Sequence, residues 1–454
     1  MKKTSILLAF ILIFTSVAGI LPAYAASEPY EPPFEIRAEA VYMENMETGQ
    51  VMVAKNADKR VSPASLTKMM TAILVLENVK DLEGESAYLK IYLNDMIYGT
   101  GAQTGGFWPN DKASIKDILY DMVLQSAAEC ALMLADYVGD GSVGHFVDMM
   151  NQRAVELGCT NTNFTNPHGL HDPEQYSSAR DMAIIAKHAM TFPLFAEMVS
   201  TPSYKVTLQN RDASFYVHST NEMIKPSSSY YYGPIQGIKT GTLPESGRCL
   251  ASQAKLNGYT YLTVLLGAPI NEADGTPTTP ASLNFSETKK LYQWVFDSFS
   301  IRTAVERGEE LVEVPVKYSY DGDFVRLATA EQFTALLHND IQASSIQYVP
   351  DVPDALTAPV TKGQEVGRLK LIFADEEIGS VPLVATSNLY YSKLLGTWGW
   401  ITNAIHSYWV KFVIVFVVLI ILLYTALLMR VNRMKQRSGK YSSYRSGRDK
   451  DYHL

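Results

Sequence analysis

Apolar residues along the chain change texture twice. Through the first 300 or so residues they switch between helical and strand periods. Leu66, Met69, Met70, Ile73 and Leu74 recur on one helix face, and Ile118, Leu119, Met122, Val123, Ala127, Cys130 and Ala131 mark a second stripe. The first stripe predicts a helix opening at Ser62, a good N-cap, with Pro63 in the first helical position. The second predicts one helix over residues 115–137. Further helices are expected at residues 143–157, 179–191 and 286–299, the last amphipathic through Leu291, Trp294, Val295 and Phe299. Alternation predicts strands at Ala40–Asn45 and Val51–Lys55 around a Glu47-Thr48-Gly49 turn, and at residues 250–254 and 259–267. Gly99, Gly101, Gly105 and Gly106 leave residues 85–113 to strands and loops.

From Arg302 the pattern becomes short strands joined by Asp, Gly and Pro turns, at residues 311–318, 324–328, 346–349, 367–373 and 377–385. No cluster of Ser, His or Cys occurs there. A small all-β domain over residues 301–388 is expected, serving as spacer or contact surface. The third texture is residues 412–429, where only Tyr424 and Thr425 are mildly polar, a length that just spans a bilayer core. Trp398, Trp400, Tyr408 and Trp409 in residues 389–411 form an interface belt. Arg430, Arg433, Lys435, Arg437 and Lys440 come next, which predicts a cytoplasmic tail over residues 430–454. At the other end Lys2 and Lys3, an apolar run and Ala23-Tyr24-Ala25 read as a secretory signal peptide over residues 1–25. The expected protein is exported, held in the cell membrane by a single C-terminal pass, and works outside the cytoplasm.

Composition sharpens this picture. The 454 residues are 47% hydrophobic and 19% charged, which suits two or three globular domains. The net charge of −8 hides an asymmetry, because residues 430–454 hold eight Lys/Arg against two Asp/Glu. The body is therefore more acidic than the total, which argues against a nucleic-acid partner. Cys130, Cys159 and Cys249 are too few for a disulfide scaffold. Cys130 and Cys159 fall in helical patterns and read as buried apolar residues, with one disulfide left open. No feature sets the oligomeric state.

The candidate chemistry starts at Ser62-Pro63-Ala64-Ser65-Leu66-Thr67-Lys68. Ser65 and Lys68 are three apart and share a helix face in the first turn, where free N–H groups favour developing negative charge. Such a pair can supply a nucleophile, its base and half an oxyanion site. Ser-x-x-Lys recurs at Ser286-Glu287-Thr288-Lys289, where Ser286 reads as a helix N-cap. Two downstream elements set the first occurrence apart. Ser126 opens Ser126-Ala127-Ala128-Glu129 in the next long helical stripe. Lys239-Thr240-Gly241-Thr242 lies at the start of a strand meander, an edge that a peptide could pair with. Nucleophile helix, second serine and Lys-Thr-Gly strand, in that order, are the ordered set of penicillin-binding proteins and class A β-lactamases.

Residues 62–77 resemble the active-site helix of serine D-alanyl-D-alanine carboxypeptidases, the low-molecular-weight penicillin-binding proteins. Asn161-Thr162-Asn163-Phe164, Asn166-Pro167-His168-Gly169-Leu170, Ser177-Ser178-Ala179-Arg180-Asp181-Met182 and Gly237-Ile238-Lys239-Thr240-Gly241 are similar to that family as well. The resemblance implies an α/β fold. A serine β-lactamase/transpeptidase-like domain, an antiparallel sheet flanked by helices with a helical subdomain, is expected over residues 34–300, before the all-β domain and the membrane helix. It also implies roles. Ser65 attacks the penultimate D-Ala carbonyl of a peptidoglycan stem pentapeptide and Lys68 takes its proton. Ser126 relays a proton to the departing D-alanine, and Lys239 and Thr240 hold the terminal carboxylate. The backbone N–H groups of Ser65 and Thr242 form the oxyanion hole. β-Lactams acylate the same serine. No cofactor is called for, and His168 and His171, with no further ligand at a useful spacing, read as part of a turn rather than a metal site.

Two positions depart from the family pattern. Ala128 stands where the second motif carries Asn, so a methyl group replaces a group that can bond the substrate amide. No Arg occurs in residues 269–283, where the family places one that assists with the carboxylate. Ser219-Thr220-Asn221 and Ser282-Leu283-Asn284 match Ser-x-Asn literally but stand elsewhere in the order. Two alternatives to a fully active enzyme therefore stay open: a catalytically weakened penicillin-binding or cell-wall-sensing relative, and a β-lactamase.

Overall fold

The computed structural model describes residues 29–373 and 375–443. The expected signal peptide and the end of the expected tail, residues 444–454, lie outside the described residues. By contact density the chain divides into two units. One holds the residues up to Ala304 with Phe333–Tyr348 and Leu371–Ser380; the other holds Val305–Gln332, Val349–Lys370 and the chain from Val381 onward.

The first unit is built on a five-stranded antiparallel sheet. Strands β1 (Ala40–Asn45) and β2 (Val51–Lys55) form a hairpin with the expected bounds. The helices are α1 (Lys68–Asn78), α2 (Ile115–Leu124), α3 (Ala128–Val138), α4 (Val143–Glu156) and α5 (Ala179–Ala189). Strands β3 (Ile235–Leu243), β4 (Gly247–Leu256) and β5 (Tyr259–Ala268) complete the sheet in the order β2-β1-β5-β4-β3, and α6 (Leu283–Ser298) comes after it. Strand alternation gives the sheet two apolar faces. Leu262, Val264 and Leu266 enter the large core shared with α1 to α5, while Tyr261 and Leu265 enter a second core with Leu291, Tyr292 and Val295 of α6. The Tyr292 hydroxyl, buried in that second core, donates to the Ser252 carbonyl at 2.8 Å. The Lys-Thr-Gly strand β3 is left at one edge of the sheet.

Five local expectations change. The first helix does not open at Ser62. A 3₁₀ turn, Ala64–Thr67, leads into α1, no side chain caps it, and Ser62 Oγ instead accepts from Ser246 Oγ at 2.6 Å. Residues 115–137 are two helices, not one. Ser126 sits between α2 and α3 with φ of +66°, and the Ala128 N–H donates to the Gln103 carbonyl at 2.9 Å rather than continuing the helix ladder. Both segments bury the same kind of stripe, so periodicity ran straight across the break. Ser286 lies inside α6, which begins at Leu283, and its Oγ donates to the Leu283 carbonyl at 3.2 Å. Residues 85–113 hold two short paired strands, Ser86–Tyr88 and Lys112–Ser114, and also a short helix, Ile91–Asp95. Cys130, Cys159 and Cys249 are all buried free thiols, with Cys159 beyond the end of α4 rather than in a helix.

Downstream, a six-stranded sheet has the order Gln347–Asp351, Glu365–Phe373, Glu376–Ala385, Phe324–Thr329, Glu310–Lys317 and Leu356–Thr357. Three strands there were not foreseen: Leu356–Thr357 at the edge of that sheet, and Phe299–Val305 and Phe333–His338, which pair with each other. The helix Tyr408–Ser443 contains a stretch, Tyr408–Lys435, long and apolar enough to cross a membrane.

Candidate active site

The 3₁₀ turn places Ser65 at the head of α1, half-buried, with Lys68 one turn on. The turn is locally strained, since Ala64 takes φ of +47°, a region that costs a non-glycine residue energy. Neighbouring backbone holds it there. The Thr71 hydroxyl donates to the Pro167 carbonyl at 2.7 Å. Gly169, at φ of +83°, lies so close that a Cβ there would sit 2.1 Å from the Ala64 carbonyl oxygen. From the other side comes Gly241 of β3, where a Cβ would fall 3.0 Å from both Ala64 Cβ and the Ser65 nitrogen. Both glycines are required by this close approach.

Lys68 is 2% exposed. Its Nζ donates to Ser65 Oγ at 3.2 Å and to the His168 carbonyl at 2.5 Å. Burial pushes its pKa down to about 7, against a smaller upward pull from Glu129 and Cys130. A lysine that loses its proton near neutrality, within reach of a serine hydroxyl, is equipped as a general base. His168 is itself neutral. Its Nδ1 accepts from the Leu170 N–H at 3.2 Å, and burial, then Lys68, push its pKa to about 3. Among the described residues, neither His168 nor His171 belongs to a cluster of potential metal ligands.

Ser126 and Lys239 form a second serine–lysine pair. Lys239 Nζ donates to Ser126 Oγ at 2.9 Å and to the Thr240 carbonyl at 3.2 Å, and all of its side chain is enclosed. Burial, then the nearness of Lys68, hold Lys239 well below the usual lysine range. The Thr240 hydroxyl meets that of Thr220 at 2.5 Å, and the Thr220 N–H donates to the Leu124 carbonyl at 3.0 Å, just before the Ser126 turn. Thr242 is exposed on the same edge strand. The structure therefore gathers Ser65, Lys68, Ser126, Lys239, Thr240 and Thr242 around the head of α1 and the edge of β3. Ala128 is 2% exposed at the start of α3. Asn221, the amide of the literal Ser-x-Asn match, faces its own backbone and accepts from the Met223 N–H at 3.0 Å.

Sequence reasoning missed a layer behind Lys68. Asp121 of α2 and Glu129 and Cys130 of α3 face one another across the Ser126 break, with potential ligand atoms all within 4.8 Å. Cys130 Sγ donates to Asp121 Oδ2 at 3.5 Å, and the Gly105 N–H donates to Glu129 Oε1 at 2.7 Å. Burial first, then mutual repulsion, push Asp121 up to about 8; burial pushes Glu129 up to about 7. Asp121 keeps its proton through neutrality, while Glu129 loses its own near 7 and is the charge that pulls the Lys68 pKa up against burial. The Glu129 at the end of Ser126-Ala127-Ala128-Glu129 was the available signal.

Comparison with known proteins gives the arrangement its context. Residues 24–270 match the profile described as D-alanyl-D-alanine carboxypeptidase. The chain belongs to that family. Residues 299–390 match the C-terminal domain of penicillin-binding protein 5. The D-alanyl-D-alanine carboxypeptidase DacF of Bacillus subtilis is 29% identical over 408 residues, 86% of this chain and 98% of the relative. DacA of Haemophilus influenzae is 28% identical over 419 residues, 88% of this chain and 98% of its own. Among solved structures, penicillin-binding protein 5 of Haemophilus influenzae superposes with a TM-score of 0.57 at 28% identity, covering 80% of this chain and all of that one. The Streptomyces K15 DD-transpeptidase gives a TM-score of 0.52 at 29% identity, over 59% of this chain and 99% of its own. The chain is thus a serine-type carboxypeptidase with an α/β penicillin-binding domain followed by an all-β domain.

Proposed function

We propose that this carboxypeptidase removes the terminal D-alanine from peptidoglycan stem pentapeptides through an acyl-enzyme on Ser65. The observation that carries the reading is Lys68 Nζ, buried and with its pKa near 7, at 3.2 Å from Ser65 Oγ. Lys68 in its neutral form accepts the Ser65 proton as Oγ attacks the penultimate D-Ala carbonyl. The N–H groups of Ser65 and Thr242 stabilise the oxyanion, and loss of one such donor typically costs about 10²–10³ in rate. Ser126, hydrogen-bonded to Lys239, passes a proton to the leaving D-alanine. The Lys239-Thr240-Gly241-Thr242 strand receives the terminal carboxylate. Water then hydrolyses the ester. β-Lactams acylate Ser65 by the same attack and leave slowly. Release of D-alanine from a pentapeptide substrate tests this, with Ser65→Ala as control. The reading predicts release by the wild type alone; no release, or equal release by the control, contradicts it.

The location belongs to the same reading. A signal peptide over residues 1–25 exports the chain, residues 412–429 anchor it as a single pass, and residues 430–454 stay cytoplasmic. The juxtamembrane segment 389–411 and the β domain 301–388 then hold the catalytic domain, residues 34–300, outside the cytoplasm. The apolar stretch Tyr408–Lys435 supports the anchor. A second reading, a relative that is acylated by penicillin but turns over poorly, has two observations in its favour: Ala128 offers no amide at the second motif, and residues 269–283 hold no Arg. Penicillin labelling without D-alanine release would select it.

A further inference from the structure

Large apolar side chains exposed on the first unit are not evenly spread. Tyr88, Ile91, Tyr92, Met96, Tyr98 and Trp108 all fall within residues 88–108, with Tyr98 84% and Trp108 71% exposed, while the others of that unit are scattered along the chain. Single exposed apolar residues are ordinary, but a patch of them marks a contact surface. The segment is held in place from both sides. Strand Ser86–Tyr88 pairs with Lys112–Ser114, and the Asn110 N–H donates to the Leu89 carbonyl at 2.8 Å, which fixes the turn after Trp108. Asp136, near the end of α3, ties down the other side. Lys90 Nζ lies 2.6 Å from its Oδ2, and the Tyr92 hydroxyl donates to its Oδ1.

Between these elements lies a cleft of about 270 Å³, whose polar and aromatic walls are Ser86, Tyr88, Lys90, Asp136, Tyr137 and Asp140. Strand alternation turns Ser86 and Tyr88 to one face and buries Ala87 on the other. The side chains of Ser86 and Asp140 take part in no hydrogen bond or ion pair among the described residues. An aromatic ring beside a free hydroxyl and a free carboxylate is the lining that a sugar requires. Its C–H face packs on the electron-rich ring, while its hydroxyl and amide groups are bonded at the edges. The centre of a protein-docking patch is instead depleted of charge.

The position of the cleft agrees. It lies at the end of α3 remote from Ser126, and that helix, Ala128–Val138, is about 15 Å long at about 1.5 Å per residue. In a stem pentapeptide the attacked carbonyl belongs to the fourth residue, and the first residue hangs from a sugar. Four extended residues reach about 13–14 Å. A stem held at Ser65 and Ser126 therefore has its sugar within range of this cleft. We propose that the cleft, through Tyr88, Ser86 and Asp140, binds the N-acetylated sugar strand that carries the stem peptide, so that stems on the polymer are favoured over free peptides. This rests on the reading of the protein as a pentapeptide carboxypeptidase acting through Ser65. The two sites also share one piece of chain. The segment that carries the aromatic patch gives the Gln103 carbonyl to the Ala128 N–H and the Gly105 N–H to Glu129.

The test is kcat/KM for D-alanine release from a disaccharide-linked pentapeptide, divided by the value for the same pentapeptide without sugar, in wild type, Tyr88→Ala and Asp140→Asn. Asparagine suits the left-handed backbone that Asp140 adopts, at φ of +55°. A stacked ring and a polar contact predict a wild-type ratio of about 10, falling by about 3- to 10-fold in each variant. Turnover of the sugar-free peptide reports folding and the Ser65 chemistry within the same sample. A wild-type ratio near one overturns the proposal and leaves the patch to a protein partner. A ratio that persists in both variants overturns the cleft as its source. Equal loss on both substrates in the variants overturns it in favour of a structural role. If the wild type releases D-alanine from neither substrate, the carboxypeptidase reading fails, and binding of a stem-free sugar oligomer to the full chain decides the cleft. Binding that weakens in Tyr88→Ala supports it; no binding, or binding unchanged in Tyr88→Ala, overturns it.

Discussion

Ser65 and Ser126 each stand at the front of a buried helix, α1 and α3, where the backbone has just visited the left-handed region. At the first turn the residue so placed is Ala64, at φ of +47°; at the second it is Ser126 itself, at +66°. Each serine also has a lysine. Lys68 lies in the same turn as its serine, while Lys239 comes from a strand 113 residues further along the chain. The backing differs in kind. Main-chain carbonyls of Pro167 and His168 and the close approach of Gly169 hold the Ser65 turn. Carboxyl side chains of Asp121 and Glu129 back the Ser126 turn, with the Gly105 N–H bound to one of them. The first turn is thus locked by backbone that tolerates little change. The second adds to its main-chain bonds a set of buried side chains that can be exchanged, and it is the one where the family pattern has changed, at Ala128.

Breaking the Ser65 side should have the larger effect. Lys68→Ala removes the base, and kcat/KM for D-alanine release is expected to fall by about 10³–10⁴-fold, the upper range for general acid–base catalysis. The wild-type profile sharpens this point. Because burial lowers the Lys68 pKa to about 7, the neutral base accumulates as pH rises, so kcat/KM should climb through an apparent pKa near 7. A limb near 10 would mean that Lys68 is an ordinary exposed amine. Ser126→Ala leaves nucleophile and base in place, and an intermediate loss of about 10²-fold is expected, measured with the same substrate.

The exchangeable side can also be improved. Ala128→Asn restores an amide at the start of α3, and one added hydrogen bond to substrate predicts a gain of up to about 10-fold in kcat/KM. No gain would show that the second motif does not limit turnover. The smallest effect concerns the carboxyls. Asp121 in the folded state keeps a proton to about pH 8 that an unfolded aspartate releases near 4. The folded state binds more protons in that window, so stability is fully expressed below it and declines as pH rises from about 4 to about 8. In Asp121→Asn that slope flattens. Thermal denaturation at pH 5 and pH 8 reads it as a narrower gap in Tm, by on the order of 2–4 °C per kcal/mol removed.

The two turns also mark how far the amino-acid sequence alone could be read. Ser65-x-x-Lys68 is a local motif on one helical stripe, and the strands Ala40–Asn45 and Val51–Lys55 are equally local; all are visible from spacing. The break at Ser126 is not, because α2 and α3 bury the same face and the residue that ends the ladder, Gln103, lies in a Gly-rich loop with no periodicity of its own. The pairing of Ser126 with Lys239 depends on β3 taking the sheet edge, a consequence of strand order. Asp121 looked like any polar residue on a helix, and only burial shows that it cannot be solvated. Ser62 and Ser286 looked like caps and are not, since Ser62 has a partner in Ser246 and Ser286 has one in its own helix.

The most direct test of the account is the intact mass of the protein after exposure to benzylpenicillin, followed by digestion to locate the adduct. The account predicts one covalent penicilloyl group, carried on the peptide containing Ser65 and absent in Ser65→Ala. An unmodified wild type, or an adduct that persists in Ser65→Ala, would contradict it.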